Sequence, residues 1–119
     1  MLIKILKPDF DFEDERGRLT QLVRSGYSQI NVVSSAGGVF RGDHYHKENH
    51  EAFYVIKGSF RIVLSKDDEK EEYVFKAGDM FEVLPYVVHS FYYLEDSLLV
   101  ALYDKGVEKE DGTKDIYKL

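Results

Sequence analysis

The stretch GVFRGDHYHKENHEAFYVIKG, residues 38–58, sets two histidines one residue apart and places a glutamate five residues after the second, with a glycine at each end. Side chains at i and i+2 of a strand share a face, so a strand here points His44 and His46 the same way. Glu51 then opens a second strand-like run, EAFYVIK (51–57). Two imidazoles and a carboxylate on neighbouring strands lack only one further ligand to surround a cation. His89 is the candidate, opening the run VHSFYYL (88–94) with Phe91 and Tyr93 on its own face. Three imidazoles and a carboxylate suit a divalent transition metal, zinc foremost, with Fe, Mn, Ni or Co as alternatives. Calcium and magnesium take oxygen ligands instead. His50 falls one residue out of phase with Glu51, which places it at the surface beside the pocket.

Outward from this stretch the chain reads as strands almost throughout. RLTQLVR (18–24), QINVVSS (29–35), SFRIVLS (59–65), EEYVFKA (71–77), MFEVLP (80–85) and SLLVALYD (97–104) join the two runs above. All are short, rich in β-branched and aromatic residues, and parted by turn signals such as Gly37-Gly38, Gly58 and Gly78-Asp79. No window carries helical periodicity. The expectation is an all-β sandwich or barrel forming a single domain over 1–119. Its core spans about 18–104, followed by a polar tail over 105–119 that either stays loose or adds a last strand through Ile116-Tyr117. The charged run KDDEKEE (66–72) caps a solvated hairpin. In 51–57 both faces are apolar, which in so short a chain predicts a partner subunit, a symmetric homodimer.

Composition narrows the function. The 119 residues are 44% hydrophobic and 14% aromatic, enough for a packed core without staples. The absence of cysteine removes disulfide and thiolate chemistry and fits a reducing compartment. The longest apolar run, LLVALY, is far too short for a membrane span, and the start lacks a signal-peptide core. A cytoplasmic protein is expected. A net charge of −6 argues against a nucleic-acid binder. It leaves room for a phosphorylated small ligand gripped by Arg16, Arg18, Arg24, Arg41 or Arg61.

Residues 38–58 match the first cupin motif, G-x5-H-x-H-x4-E-x6-G, with Gly38, His44, His46, Glu51 and Gly58 in register. The second motif spans a glycine to a histidine eleven positions on, as Gly78 and His89 do. It departs inside, where LPYVVH puts proline one place late and Val87 where glycine is usual. The resemblance implies a double-stranded β-helix, the jelly-roll barrel of the cupins, with a metal in its mouth held by His44, His46, Glu51 and His89. DERGRLTQL (14–22), SQINVVSS (28–35), RGDHYHK (41–47) and EAFYVIKG (51–58) narrow it further. They resemble small cupins that act on nucleotide-linked keto-sugars: the dTDP-4-keto-6-deoxyhexose 3,4-ketoisomerases and the epimerase-like cupin attached to capsular-sugar reductases. That resemblance covers about residues 10–103.

The implied activity is isomerisation or epimerisation of a nucleotide-linked 4-keto-6-deoxy sugar for a surface polysaccharide. Such a reaction removes a proton beside a carbonyl and returns it elsewhere, so it needs a base and a group to hold the enolate oxygen. In the ketoisomerase branch the paired histidines resemble acid/base catalysts, and in the epimerase-like branch zinc ligands. Retention of Glu51 and His89 favours the metal, which leaves Tyr93 as candidate base. Arg41 is placed on the diphosphate or the enolate, Arg61 on the substrate, and Tyr54 and Tyr92 stacked on sugar or base. Two other functions compete: a metal-dependent dioxygenase or decarboxylase, and a sugar- or metal-sensing module without catalysis.

Overall fold

The structure is a computed structural model that describes all 119 residues. Its strands are β1 (Ile3–Leu6), β2 (Phe10–Asp14), β3 (Gly17–Gln21), β4 (Gln29–Ser35), β5 (Phe40–Tyr45), β6 (Glu51–Lys57), β7 (Ser59–Lys66), β8 (Glu69–Lys76), β9 (Met80–Val83), β10 (Val88–Tyr93), β11 (Ser97–Tyr103) and β12 (Tyr117–Lys118). Every run read as strand-like overlaps one, and there is no helix, so none that is long and apolar enough to cross a membrane. One antiparallel sheet has the order β1-β9-β6-β11-β4 and the other β12-β5-β10-β7-β8, while β2 and β3 form a separate hairpin. The two large sheets face each other as the jelly roll that the motifs imply.

Alternation along the strands fills the space between the sheets. Phe53 and Val55 of β6, Phe60, Ile62 and Leu64 of β7, Phe91 and Tyr93 of β10, and Leu99 and Ala101 of β11 are all buried. Phe75 and Phe81 stack with ring centroids 4.2 Å apart, and Phe53 lies 5.1 Å from Phe81. Each such side chain contributes about 1.5–3 kcal/mol on burial. The aromatic column continues to His89, whose ring centroid is 6.2 Å from Phe91 and 6.4 Å from Phe53. The site is therefore the polar end of the core.

Four elements escape a reading by periodicity. β1 is an edge strand broken by Lys4, yet Leu2 and Ile3 are buried against β9. β2 pairs only with β3, and its apolar residues Phe10 and Phe12 are exposed. β5 is rich in charge and imidazole. The tail is firmly attached: its last strand forms at Tyr117–Lys118 against Tyr45 and His44, and Asp115 is fully buried. The charged run does turn a hairpin, with β7 and β8 extending through the charges to Asp67, whose φ is 54°.

The outer face of β6 is covered only at one end. Ala52 is buried, whereas Ile56 is 46% exposed, and on β4 Ile30 and Val32 are 61% and 70% exposed. The hairpin residues Phe10, Phe12 and Leu19 add further uncovered apolar surface.

Candidate active site

β5 and β10 carry the site between them, and a β-bulge decides what faces inward. His89 pairs with His44, and Ser90 pairs with Gly42, so Asp43 is the extra residue. Asp43 takes the left-handed conformation, φ 58°, and its Oδ1 accepts a hydrogen bond from Ser90 Oγ at 2.9 Å. A bulge inserts a residue into one strand only, so Arg41 and His44, three apart, both face the interior opposite Phe91 and His89. Strict alternation would have put them on opposite faces. Gly42 allows this: a Cβ there would lie 2.4 Å from Ser90 Cα, at a φ of 149°.

His46 lies just past the end of β5, and Glu51 begins β6. One ring nitrogen from each of His44, His46 and His89 lies within 4.8 Å of the other two. Glu51 Oε1 lies 3.0 Å from His46 Nε2 and 3.4 Å from His89 Nε2. The four residues that the motifs single out thus converge, and three of them (His46, Glu51 and His89) are buried. His44, Glu51 and His89 line a cavity of about 230 Å³ together with Arg41, Phe91, Tyr93, Tyr103 and Ile116, among others, and His46 packs against His44 and His89 at its edge.

The hydrogen bonds fix which nitrogen faces the cavity. His46 Nδ1 lies 2.6 Å from the Asp115 carbonyl and His89 Nδ1 lies 3.1 Å from the Val87 carbonyl. A carbonyl only accepts, so each Nδ1 carries the proton. Without a second proton each ring turns a bare Nε2 lone pair on the same carboxylate oxygen. Lone pair against carboxylate is repulsive unless a proton or a cation lies between. His89 Nε2 is buried and has no hydrogen-bond partner. Three imidazole nitrogens and a carboxylate with one orphaned lone pair form a donor set that fits a divalent transition metal.

Electrostatics agree with that geometry. Burial alone would raise the Glu51 carboxyl, but His46 and His89 outweigh it and hold it down to about 2. Burial opposes charge on His46, yet its bond to Glu51 raises it above the ordinary 6.5. His44 shifts the other way, pushed down by burial and by the neighbouring His89.

The remaining residues divide sharply. Arg41 faces the cavity, with Nε donating to Ser35 Oγ at 2.8 Å and an Nη to the Ser34 carbonyl at 3.3 Å. Tyr93 is buried beside it, and burial pushes its phenol up. Arg61, Tyr92 and Tyr54 are not brought to the cavity. Arg61 pairs with Glu72 and lies 4.4 Å over the Tyr92 ring, on the outer face of the second sheet. Tyr54 alternates with Phe53 and Val55 and so faces outward from β6, opposite Val100. His50 hydrogen-bonds Glu82 through Nδ1 at 3.0 Å, outside the cavity as its phase predicts.

Tyr103 is the residue that motif reading missed. Its ring packs edge-on against His46 at 5.5 Å, and burial followed by Glu51 pushes its phenol far above the usual range. It shares the inward phase of Leu99 and Ala101, so alternation along SLLVALYD contained the signal. The second motif also resolves differently. The left-handed residue is Tyr86, φ 68°, three before His89, and Val87 is an ordinary buried residue.

The sequence matches the family described as polysaccharide biosynthesis C-terminal domain over residues 12–107. No curated protein matches it. Among solved structures it is similar to the 3,4-ketoisomerase QdtA from Thermoanaerobacterium thermosaccharolyticum in complex with TDP-4-keto-6-deoxyglucose. That similarity has 19% identity and a TM-score of 0.82, over 99% of this chain and 88% of that one. It is similar also to dTDP-4-dehydrorhamnose 3,5-epimerase from Sulfolobus tokodaii, at 26% identity and a TM-score of 0.74, over 87% of this chain and 70% of that one. The capsular polysaccharide assembling protein CapF from Staphylococcus aureus matches at 24% identity and a TM-score of 0.69, over 92% of this chain but 34% of that longer one.

Proposed function

Because this chain belongs to the polysaccharide biosynthesis C-terminal domain family, we propose that it isomerises or epimerises a nucleotide-linked 4-keto-6-deoxy sugar in surface-polysaccharide biosynthesis. The observation that carries this reading is the cavity itself. Two imidazoles, a buried carboxylate, an arginine and two tyrosines line one small space, with the third imidazole, His46, clustered beside them. The named substrates of the similar ketoisomerase and epimerase supply the substrate class.

A divalent metal, zinc foremost, held by His44, His46, Glu51 and His89, would supply polarisation of the sugar carbonyl. The protein's own groups bind and orient the substrate and donate hydrogen bonds to it. Arg41 is braced by Ser35 and Ser34, and its remaining N–H donors bind the diphosphate or the enolate oxygen. Tyr93 and Tyr103 stay protonated and act as donors, which moves Tyr93 from candidate base to hydrogen-bond donor or acid. The reaction takes a proton from a carbon flanking the ketone, and the electron pair left behind moves onto the carbonyl oxygen. Returning a proton to the opposite face gives an epimer. Returning it to the former carbonyl carbon, with the neighbouring hydroxyl proton crossing over, gives the ketoisomer.

A second reading rests on the 3.0 Å contact between His46 and Glu51. Without metal, a protonated His46 held by Glu51 is the proton carrier, with His44 as its companion.

The active unit in this proposal is a homodimer. The exposed apolar side chains of Ile30 and Val32 on β4 and of Phe10, Phe12 and Leu19 on the hairpin support it.

The test is turnover. The purified protein, with and without zinc, is incubated with dTDP- or UDP-4-keto-6-deoxy sugars in deuterated water, and exchange is read by NMR at the carbons flanking the ketone. Exchange is expected. Binding without exchange across the panel would leave a sensing module, and zinc-independent exchange would favour the His46–Glu51 pair.

A further inference from the structure

Asp115 belongs to the chain segment after β11, far in sequence from the paired histidines, and nothing in the motifs points to it. It is fully buried. Its Oδ1 accepts the backbone N–H of Lys47 at 2.8 Å, and its Oδ2 accepts those of Glu48 and Asn49, both at 3.0 Å. Three successive amides form an anion-binding nest, and the anion here is the side chain of the protein's own tail. Asn49 closes the arrangement. Its Nδ2 donates to Asp115 Oδ2 and to the Gly106 carbonyl, both at 2.8 Å, while its Oδ1 accepts from Lys105 and Gly106 at 3.0 and 2.9 Å. Every polar atom of these two buried side chains is satisfied, which is costly to build and rigid once built.

The loop held in this way is the one that carries His46 into Glu51. The same Asp115 that pins the loop turns its own carbonyl onto His46 Nδ1 at 2.6 Å. We propose that Asp115 is a positioning residue: its carboxylate docks the tail in the amide nest of residues 47–49, and its carbonyl locks His46 with the proton on Nδ1 and Nε2 aimed at Glu51. Outer contacts that fix a ligand's tautomer and ring orientation commonly carry a 10–100-fold effect on metal affinity. His89 has a separate anchor, the Val87 carbonyl, and so provides an internal control. The inference rests on the three-histidine cavity being the reactive site, but not on which sugar it takes.

The experiment is a long-range proton–nitrogen NMR spectrum of the histidine rings in the metal-free full chain, alongside a zinc competition titration. In the wild-type protein His46 is expected as a single species protonated at Nδ1. In Asp115→Ala the His46 ring is expected to become a tautomer mixture and zinc affinity to fall about 10–100-fold, with the His89 signals unmoved. A wild-type His46 lacking the Nδ1 proton overturns the proposal, and that reading stands even if the variant does not fold. An Asp115→Ala ring still fixed in the wild-type tautomer, or His46 and His89 changing together, overturns it as well. A wild-type protein that binds no zinc but keeps the Nδ1 proton would defeat the metal reading and leave the positioning role supported.

Discussion

Glu51 Oε1 sits 3.0 Å from His46 Nε2 and 3.4 Å from His89 Nε2, so one carboxylate oxygen serves two imidazoles that both spend their other nitrogen on a backbone carbonyl. Glu51→Gln keeps the shape and removes the charge. Zinc affinity in this variant is expected to fall by more than about 100-fold, since even outer contacts cost about 10–100-fold. A competition titration measures it, and wild-type affinity in the variant would remove Glu51 from the site.

The same pair sets a pH dependence in the metal-free protein. The Glu51 carboxyl is held down to about 2 from an ordinary 4.5, so its contribution is present above 4.5 and is lost as pH falls toward 2. His46 is raised above 6.5, so its contribution is present below 6.5 and is lost as pH rises through the folded value. Thermal stability with a chelator present should peak between these limits. Asp115 is also held low, so acid loss is shared, and the alkaline decline is the diagnostic limb. Melting curves across pH for wild type and Glu51→Gln check it: the variant should lose the alkaline decline.

Tyr103→Phe deletes one hydroxyl and leaves the ring against His46. Turnover is expected to fall about 100-fold or more, the usual scale for a lost proton donor, while zinc affinity moves less than about tenfold. Steady-state kinetics and titration on the same preparation separate the two. Equal loss of both would make Tyr103 a structural support.

Arg41 and Arg61 make a matched contrast. Arg41→Ala is expected to lower kcat/KM because the residue faces the cavity. Arg61→Ala should leave kinetics unchanged and cost at most about 1 kcal/mol, since its pairing with Glu72 is on the surface. Kinetics on both variants decide whether the inward face alone binds substrate.

Val32→Asp places charge on the uncovered outer face of the first sheet. Sedimentation should show the wild type as a dimer and the variant as a monomer at the same concentration. A monomeric wild type would remove the proposed dimer.

Much of this molecule is legible in its sequence because two signals are local. Period-2 alternation reveals the strands whose one face is buried, and His44, His46, Glu51 and His89 announce themselves by spacing. What stays hidden is set by contacts distant in the chain. The bulge at Asp43 depends on the opposite Ser90, and it reverses the face of Arg41 that alternation implies. Arg61, Tyr92 and Tyr54 have the right chemistry for a sugar site but the wrong phase, since Phe60, Phe91 and Phe53 beside them point inward. The polar tail reads either as loose or as a last strand through Ile116-Tyr117, and neither reading holds the burial of Asp115 by amides of residues 47–49, which no periodicity records.

The extra residue at position 43 makes the spacing of β5 a hard constraint on engineering. Shortening the strand by one residue would swing the guanidinium of Arg41 into solvent while the imidazole of His44 stayed in place. A transplanted R-x-x-H-x-H segment therefore brings its arginine and its histidines to one face of a new barrel only if the acceptor strand keeps the same three-residue interval, and a serine opposite to receive the kink.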